Sequence, residues 1–430
     1  MKNCFCLALI IVLFLTGCSD TDDIISIDQR STTSPKLSEL RSYEEAKLIA
    51  QQSVSMLDND SGNSVSTRGV SSSRILSDNC HYVICSDPTE TRSSESFGND
   101  TLMYVFNFAN NQGFAIVSAN PQTEPLLAVI EEGHYDPSVE CDNKSFSNFM
   151  ELTKQFVLRG GDFSEKQEEP STPRSLDDPW TLYAHVGNYV TVRWGQQHPE
   201  GIYCPNGICG CGATAMAMIM SYHEYPTSIN LNHDNYIIPN YTLNWTAMKM
   251  HFVNHYQDFF ECEASNDAHD MISHLCRQLG VTAGSHYYNS ATGTSKSGLR
   301  NCMIYYGYTV PTFSNFSESE IVGALNYQLP VIMEGWTDHI YGVGHYWIVD
   351  GYKSYYPTGE TPPGNGSLDY NPFFKYYNHV NWGWNGDCNG YFFSGVFNTQ
   401  GAYNYDGFTT QNSSYNFAYR LKYIAPYPSE

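Results

Sequence analysis

The strongest constraint on this chain is a separation. Cys211 opens the alanine-rich run Cys211-Gly-Ala-Thr-Ala-Met-Ala-Met-Ile-Met220, and Gly344-His345-Tyr-Trp-Ile-Val-Asp350-Gly351 follows 134 positions later. The first run reads as the start of a helix, where the positive end of the helix dipole favours a thiolate. The second reads as a strand, with Gly342 and Gly344 permitting close backbone approach. A histidine opening a distant strand reaches that sulfur only through the tertiary fold. Strand-like runs at 329–334, 345–352, 376–382, 391–397 and 417–424 follow helical blocks at 211 and around 267–279. Helices first and sheet later is an α+β pattern.

Two further segments bear on the same chemistry. Trp194-Gly195-Gln196 precedes Cys211 by fifteen residues. Acyl transfer through a thiolate needs hydrogen-bond donors where the oxyanion forms, and the Gln196 amide with the Cys211 backbone N–H supplies two. His379-Val380-Asn381-Trp382-Gly383-Trp384 reads as a strand entering a glycine turn. There the Asn381 amide is expected to hold the second nitrogen of the His345 imidazole, and the Trp382 indole to shield that bond from water. Each signal alone has a plain structural reading, as a packed cysteine, a core histidine or a structural tryptophan. Their joint order, Gln then Cys then His then Asn-Trp, is specific. Cys209 also lies nearby, but in the loop before the helix, where the dipole helps less.

At 430 residues the chain is expected to hold two folding units plus tails. Lys2 followed by the apolar run 6–15 reads as a signal peptide over 1–17, too short to span a bilayer as a mature helix. Leu15-Thr16-Gly17-Cys18 resembles a bacterial lipobox, which makes Cys18 the lipidated residue. The acidic Ser19-Asp20-Thr21-Asp22-Asp23 looks like a surface-export signal. The expected location is therefore the bacterial outer membrane, surface-exposed, or the medium after maturation. Residues 18–37 form a polar tether. A small α+β unit spans 38–160, with a capping box at Ser42–Glu45, a long loop over 58–98, and a hairpin at 103–118. A third strand at 126–130 and a helix carrying Phe149, Leu152 and Phe156 complete it. Residues 161–177, with two prolines and no hydrophobic periodicity, read as an exposed linker open to nicking. The chemistry lies in 178–430.

Net charge −23 leaves no basic patch to neutralise phosphates, which argues against nucleic acid as a partner. The 33 tyrosines fit a strand-rich chain. Ten of the 13 cysteines remain after Cys4, Cys6 and Cys18 are set aside. With Cys211 free the other nine cannot all pair, so buried thiols are expected. Cys204, Cys209 and Cys211 lack zinc-site spacing, and no metal or cofactor is expected.

Trp194-Gly-Gln196, Gly210-Cys211-Gly-Ala-Thr-Ala215 through Tyr222-His223-Glu-Tyr-Pro226, Gly344-His345 to Asp350-Gly351, and His379 to Trp384 together resemble the streptopain family of papain-like cysteine peptidases. The unit at 38–160 is similar to that family's inhibitory propeptide, through Tyr104-Val-Phe-Asn and Gly113-Phe-Ala-Ile-Val-Ser118. The resemblance implies an α+β papain-like catalytic domain behind a small α+β propeptide, made as a zymogen and cut in the linker. It implies protein or peptide substrates and the chain's own propeptide as inhibitor in cis; the membrane contact, through lipid on Cys18, is expected from the lipobox instead. It assigns Cys211 as nucleophile, His345 as general acid/base, Gln196 to the oxyanion hole, and Asn381 and Trp382 to orienting and shielding His345. The stretch from Gln197 to Cys204 lacks the family's usual Pro-Tyr-Asn before its Cys-Pro, and Cys209 adds a second thiol. Two other readings compete: a transglutaminase-like acyltransferase, which the Gln196 and Asn381 context disfavours, and a non-catalytic surface lipoprotein binding peptide or glycan.

Overall fold

The structure is a computed structural model, and it describes residues 40–58, 74–85, 91–93, 101–139, 141–161, 180–250, 266–336, 344–358, 368–397 and 419–429. The signal segment, Cys18, the tether and most of the 161–177 linker lie outside the described residues.

The chain begins with α1 (Tyr43–Asp58). Its capping box forms as read: the Ser42 backbone N–H donates to Glu45 Oε2 at 2.7 Å, and the Glu45 N–H to Ser42 Oγ at 3.3 Å. Ala46, Ile49, Ala50 and Leu57 recur at helical spacing and are buried against Tyr104, Phe106 and Val117. Strands β1 (Leu76–Cys85), β2 (Thr91–Ser93), β3 (Thr101–Phe108), β4 (Phe114–Ser118) and β5 (Leu126–Ile130) follow, then α2 (Lys144–Leu158). The expected hairpin is β3–β4. The loop expected over 58–98 is corrected, since β1 pairs with β3 and carries β2 on its other side. Ser77, Asp78 and Asn79 are poor strand formers, and the chain meets β3 across a register irregularity between Leu76 and His81. Pairing to an existing strand outweighs local propensity there.

The C-terminal half starts with β6 (Trp180–Gly187), α3 (Cys211–His223), the hairpin β7 (Ser228–His233) and β8 (Tyr236–Thr242), α4 (Trp245–Lys249) and α5 (Asn266–Thr282). Short pairs β9 (His286–Tyr287) with β10 (Thr292–Gly293) lead into α6 (Lys296–Tyr305), β11 (Tyr308–Thr309), β12 (Ser314–Asn315) and α7 (Glu318–Asn326). Ser295 and Ser317 cap α6 and α7, two helices that periodicity alone did not bring out. The main strands are β13 (Val331–Trp336), β14 (Gly344–Pro357), β15 (Lys375–Asn381), β16 (Gly390–Phe393) and β17 (Tyr419–Ile424), with β18 (Tyr427–Pro428) pairing β11 at the end.

Among the described residues, twelve strands join one sheet in the order β12-β17-β13-β14-β15-β16-β5-β4-β3-β1-β2, with β6 added to β14. The junction is β5 on β16, antiparallel, with Val129 opposite Tyr391. The five residues of β5 are all buried, as expected of a strand paired on both edges and covered on both faces. Phe146, Phe149 and Phe156 of α2 enter the same core as Trp347, Trp382, Phe392 and Phe397. Residues 35–430 accordingly form one compact unit. A second core lies around α3, which is buried on all sides against α5 and α6 through Leu275, Leu279, Leu299 and Met303.

Candidate active site

The site is built where α3 begins. Gly210 precedes it with φ +86, and a Cβ there would lie 2.7 Å from the Thr292 carbonyl oxygen, so only glycine fits. This places Cys211 at the first helical position, tight against the β10 segment. Its sulfur reaches the backbone N–H of Tyr346, the residue after His345, and those of Gly212 and Cys211 itself. The 134-residue gap is closed at that point. Burial pushes the thiol up to about 11, and the backbone N–H donors only partly offset it. The thiolate expected from the helix start is therefore not the resting form here, because desolvation outweighs the dipole.

His345 sits near the start of β14, buried, in register with Gly335 of β13. Its Nε2 lies 3.0 Å from the backbone carbonyl of Trp382. Burial holds the imidazole down to about 4, so it is neutral at pH 7. The Trp347 ring lies nearly parallel to it at 6.3 Å, with Trp384 at 6.5 Å. Those two indoles flank the imidazole. The Trp382 indole instead packs on Phe149, Trp347 and Phe392, and its Nε1–H donates to the Cys388 carbonyl at 3.0 Å.

Asn381 sits beside this group with its amide in use elsewhere. Its Nδ2 donates to the Val192 carbonyl at 2.9 Å, and its Oδ1 accepts from the Gly383 N–H at 3.1 Å. The imidazole is thus met by the Trp382 main chain, and the expected bond from the Asn381 side chain is replaced. Asn381 shapes the turn that presents that carbonyl. A main-chain oxygen has no sequence signature, which is why residue type could not reveal it.

Gln196 is joined to the entry of α3 through its backbone, with the Cys209 N–H donating to the Gln196 carbonyl at 2.8 Å. Next to it, Thr214 Oγ1 donates to the Gly195 carbonyl at 2.8 Å. Among the described residues the buried Gln196 Nε2 has no hydrogen-bond acceptor. A buried donor left open costs stability unless it serves something. Cys209 is fully buried and its sulfur lies 3.3 Å from Thr214 Oγ1, turned into the core. Sequence reading passed over Glu334, 1% exposed, which accepts from the Tyr346 hydroxyl at 3.1 Å and pairs with Lys296 at 3.1 Å. The signal was a carboxylate inside the apolar strand Val-Ile-Met-Glu-Gly-Trp.

Comparison with known proteins bears on this arrangement. Residues 191–392 match the model of the peptidase C10 family, and residues 35–157 that of the Spi protease inhibitor. The chain is 24% identical over 318 residues to streptopain of Streptococcus pyogenes, covering 67% of this chain and 73% of that protein. It is 20% identical over 327 residues to the thiol protease/hemagglutinin PrtT of Porphyromonas gingivalis, covering 70% of this chain and 34% of that one. The fold is similar to that of a prointerpain A fragment from Prevotella intermedia, with a TM-score of 0.50 and 22% identity over 75% of this chain and 94% of that one. With one match over the propeptide unit and another over the unit that holds Cys211 and His345, the chain belongs to the peptidase C10, or streptopain, family, and is a papain-like cysteine endopeptidase precursor carrying its inhibitory propeptide.

Proposed function

We propose that this precursor is exported, anchored by lipid on Cys18, and hydrolyses protein substrates through Cys211 and His345. The observation that carries the site assignment is the placement of the Cys211 sulfur on the N–H next to His345, with the open Gln196 amide donor in the segment bonded to the entry of α3. In the reaction His345 takes the thiol proton and Cys211 attacks the peptide carbonyl. The Gln196 amide and the Cys211 N–H hold the oxyanion. His345 then protonates the leaving amine, and water releases the acyl group. Trp382 orients the imidazole through its carbonyl, and Asn381 holds the turn that presents it. This chemistry calls for no cofactor.

The domain reading goes with it: a signal over 1–17, a tether over 18–37, a propeptide over 38–160, a linker over 161–177 and the enzyme over 178–430. The lipobox at Leu15–Cys18 and the acidic residues after it support export to the outer membrane and its outer face. Palmitate labelling of wild type, lost in Cys18→Ala, tests the anchor.

Casein cleavage tests the enzyme. Cys211→Ala should lose roughly 10³-fold or more, because the nucleophile is removed. Cys209→Ala should keep substantial activity, since its thiol faces the core. The reverse pattern overturns the assignment of the nucleophile.

A further inference from the structure

Two thiols that the peptidase chemistry does not use face each other between propeptide and enzyme. Cys141 lies just before α2, and Cys388 lies in the turn between β15 and β16. Their sulfurs and a carboxylate oxygen of Asp387 all lie within 4.8 Å of one another. Both cysteines are free thiols in the structure, Cys388 buried and Cys141 partly exposed.

The loops that carry them are fixed. Asn143 is fully buried; its Oδ1 accepts from the Phe146 N–H at 3.0 Å, and its Nδ2 donates across to the Asp387 carbonyl at 2.8 Å. One side chain thus caps α2 and ties the propeptide loop to the enzyme turn. The Cys141 thiol donates to the Asn143 carbonyl at 3.5 Å. On the enzyme side the Cys388 carbonyl is held by the Trp382 indole N–H. Residues 35–157 match an inhibitor and 191–392 a peptidase, so Cys141 and Cys388 belong to opposite partners.

We propose that Cys141 and Cys388 form a disulfide that staples the propeptide to the enzyme, so that cutting the linker does not free it and release requires a reductant. The bond needs sulfurs about 2.0 Å apart, and the two already lie within 4.8 Å of each other on loops tied together by Asn143. A small-molecule disulfide such as oxidised glutathione supplies the oxidising equivalents. The Cys141 thiolate attacks one of its sulfurs, forming a mixed disulfide and expelling one glutathione thiolate. The Cys388 thiolate then attacks the Cys141 sulfur and expels the second. Two protein thiols lose two electrons and two protons, and the reagent becomes two thiols. Cys141 is the entry point because it is partly exposed, and the hydrogen bond it shares with Cys388 lowers its pKa while raising that of Cys388. Among the described residues a metal ion would find three donors here, one of them an exposed carboxylate, short of the four of a closed zinc site.

The consequence rests on the zymogen reading, but the bond does not. Full-length precursor carrying Cys211→Ala is incubated with oxidised glutathione, nicked with trypsin within 161–177, and run with and without dithiothreitol. The two pieces should stay together without reductant under denaturing conditions and separate with it. Peptide mapping should recover a Cys141–Cys388 peptide. Cys141→Ser should separate either way. In otherwise wild-type enzyme, nicked and held under mild oxidising conditions, Cys141→Ser should be about 10²-fold more active than its parent, the gain expected when a tether is lost. Free alkylation of both thiols after oxidation overturns the proposal, as does pairing of either with another cysteine. Stoichiometric zinc released by a thiol reagent and absent in Cys141→Ser overturns it too. Casein hydrolysis by the fully reduced, nicked enzyme tests the peptidase reading separately.

Discussion

His379 joins propeptide and enzyme at the level of single charges. Its Nδ1 faces Asp350 Oδ1 at 2.5 Å and its Nε2 faces Glu131 Oε1 of the propeptide at 3.1 Å, while Arg193 reaches Glu131 and Glu132. Burial would lower the imidazole, but the two carboxylates lift it to about 10. Burial would raise the Glu131 carboxyl, but His379 and Arg193 hold it well down, to about 2. A raised imidazole contributes stability that is complete below its ordinary 6.5 and lost as pH rises through about 10. A depressed carboxyl contributes stability that is complete above its ordinary 4.5 and lost as pH falls through about 2. Thermal melts of the Cys211→Ala precursor should therefore show this contribution whole between 4.5 and 6.5. Glu131→Gln should cost about 1.5–3 kcal/mol there and flatten the alkaline fall. An unchanged melting temperature and pH profile would show that the network does not hold the interface. Asn381 gives a second test. Because its amide supports Val192 and the 383 turn, Asn381→Ala should lower both activity and melting temperature, by about 1–3 kcal/mol for its unsatisfied partners. Lost activity at an unchanged melting temperature would favour direct orientation of His345.

Helix α2 transmits the propeptide to the site. Phe149 is fully buried, with ring contacts to Phe392 at 4.7 Å, Phe397 at 5.6 Å and Trp382 at 6.3 Å. Trp382 in turn presents the carbonyl that meets His345. Helix α1 docks at its far end, where buried Lys353 of β14 donates to the Met56 carbonyl in the last turn. A cation at a helix C-terminus is favourable. Truncating Phe149 to alanine should cost about 3–5 kcal/mol. The uncut precursor should then hydrolyse casein, while enzyme trimmed to begin near Trp180 from the same variant should match wild type. A Phe149→Ala precursor as silent as its parent would mean that α2 does not carry latency.

Across the molecule, latency follows from tethering and from a shared sheet. The propeptide lends β5 to the edge of β16, and its aromatic residues pack into one core with those of the enzyme. An inhibitor joined in cis acts at an effective concentration of about millimolar, so modest intrinsic affinity keeps the site shut. Uncut precursor should hydrolyse protein substrates about 10²-fold or more slowly than enzyme trimmed near Trp180 under reducing conditions. Equal rates would remove the propeptide as an inhibitor and leave the peptidase intact.

Local patterns made much of this legible. The capping box at Ser42, the β3–β4 hairpin, the helix at Cys211 and the strand at His345 all follow from short-range periodicity and cap chemistry, which act within a few residues. The family resemblance rested on residue identity at four separated motifs. Other features were decided only by tertiary contact. Strand β1 exists because β3 offers it an edge, despite Ser77, Asp78 and Asn79. The imidazole is met by the Trp382 carbonyl and the Asn381 amide is spent on Val192, because backbone groups take partners by position rather than type. The Cys211 thiol stays protonated in the precursor because burial, a property of the assembled core, overrides the dipole of its own helix. Residue chemistry and local spacing were set by the sequence; partner choice and desolvation, which depend on groups well beyond the reach of local periodicity, were set by the fold.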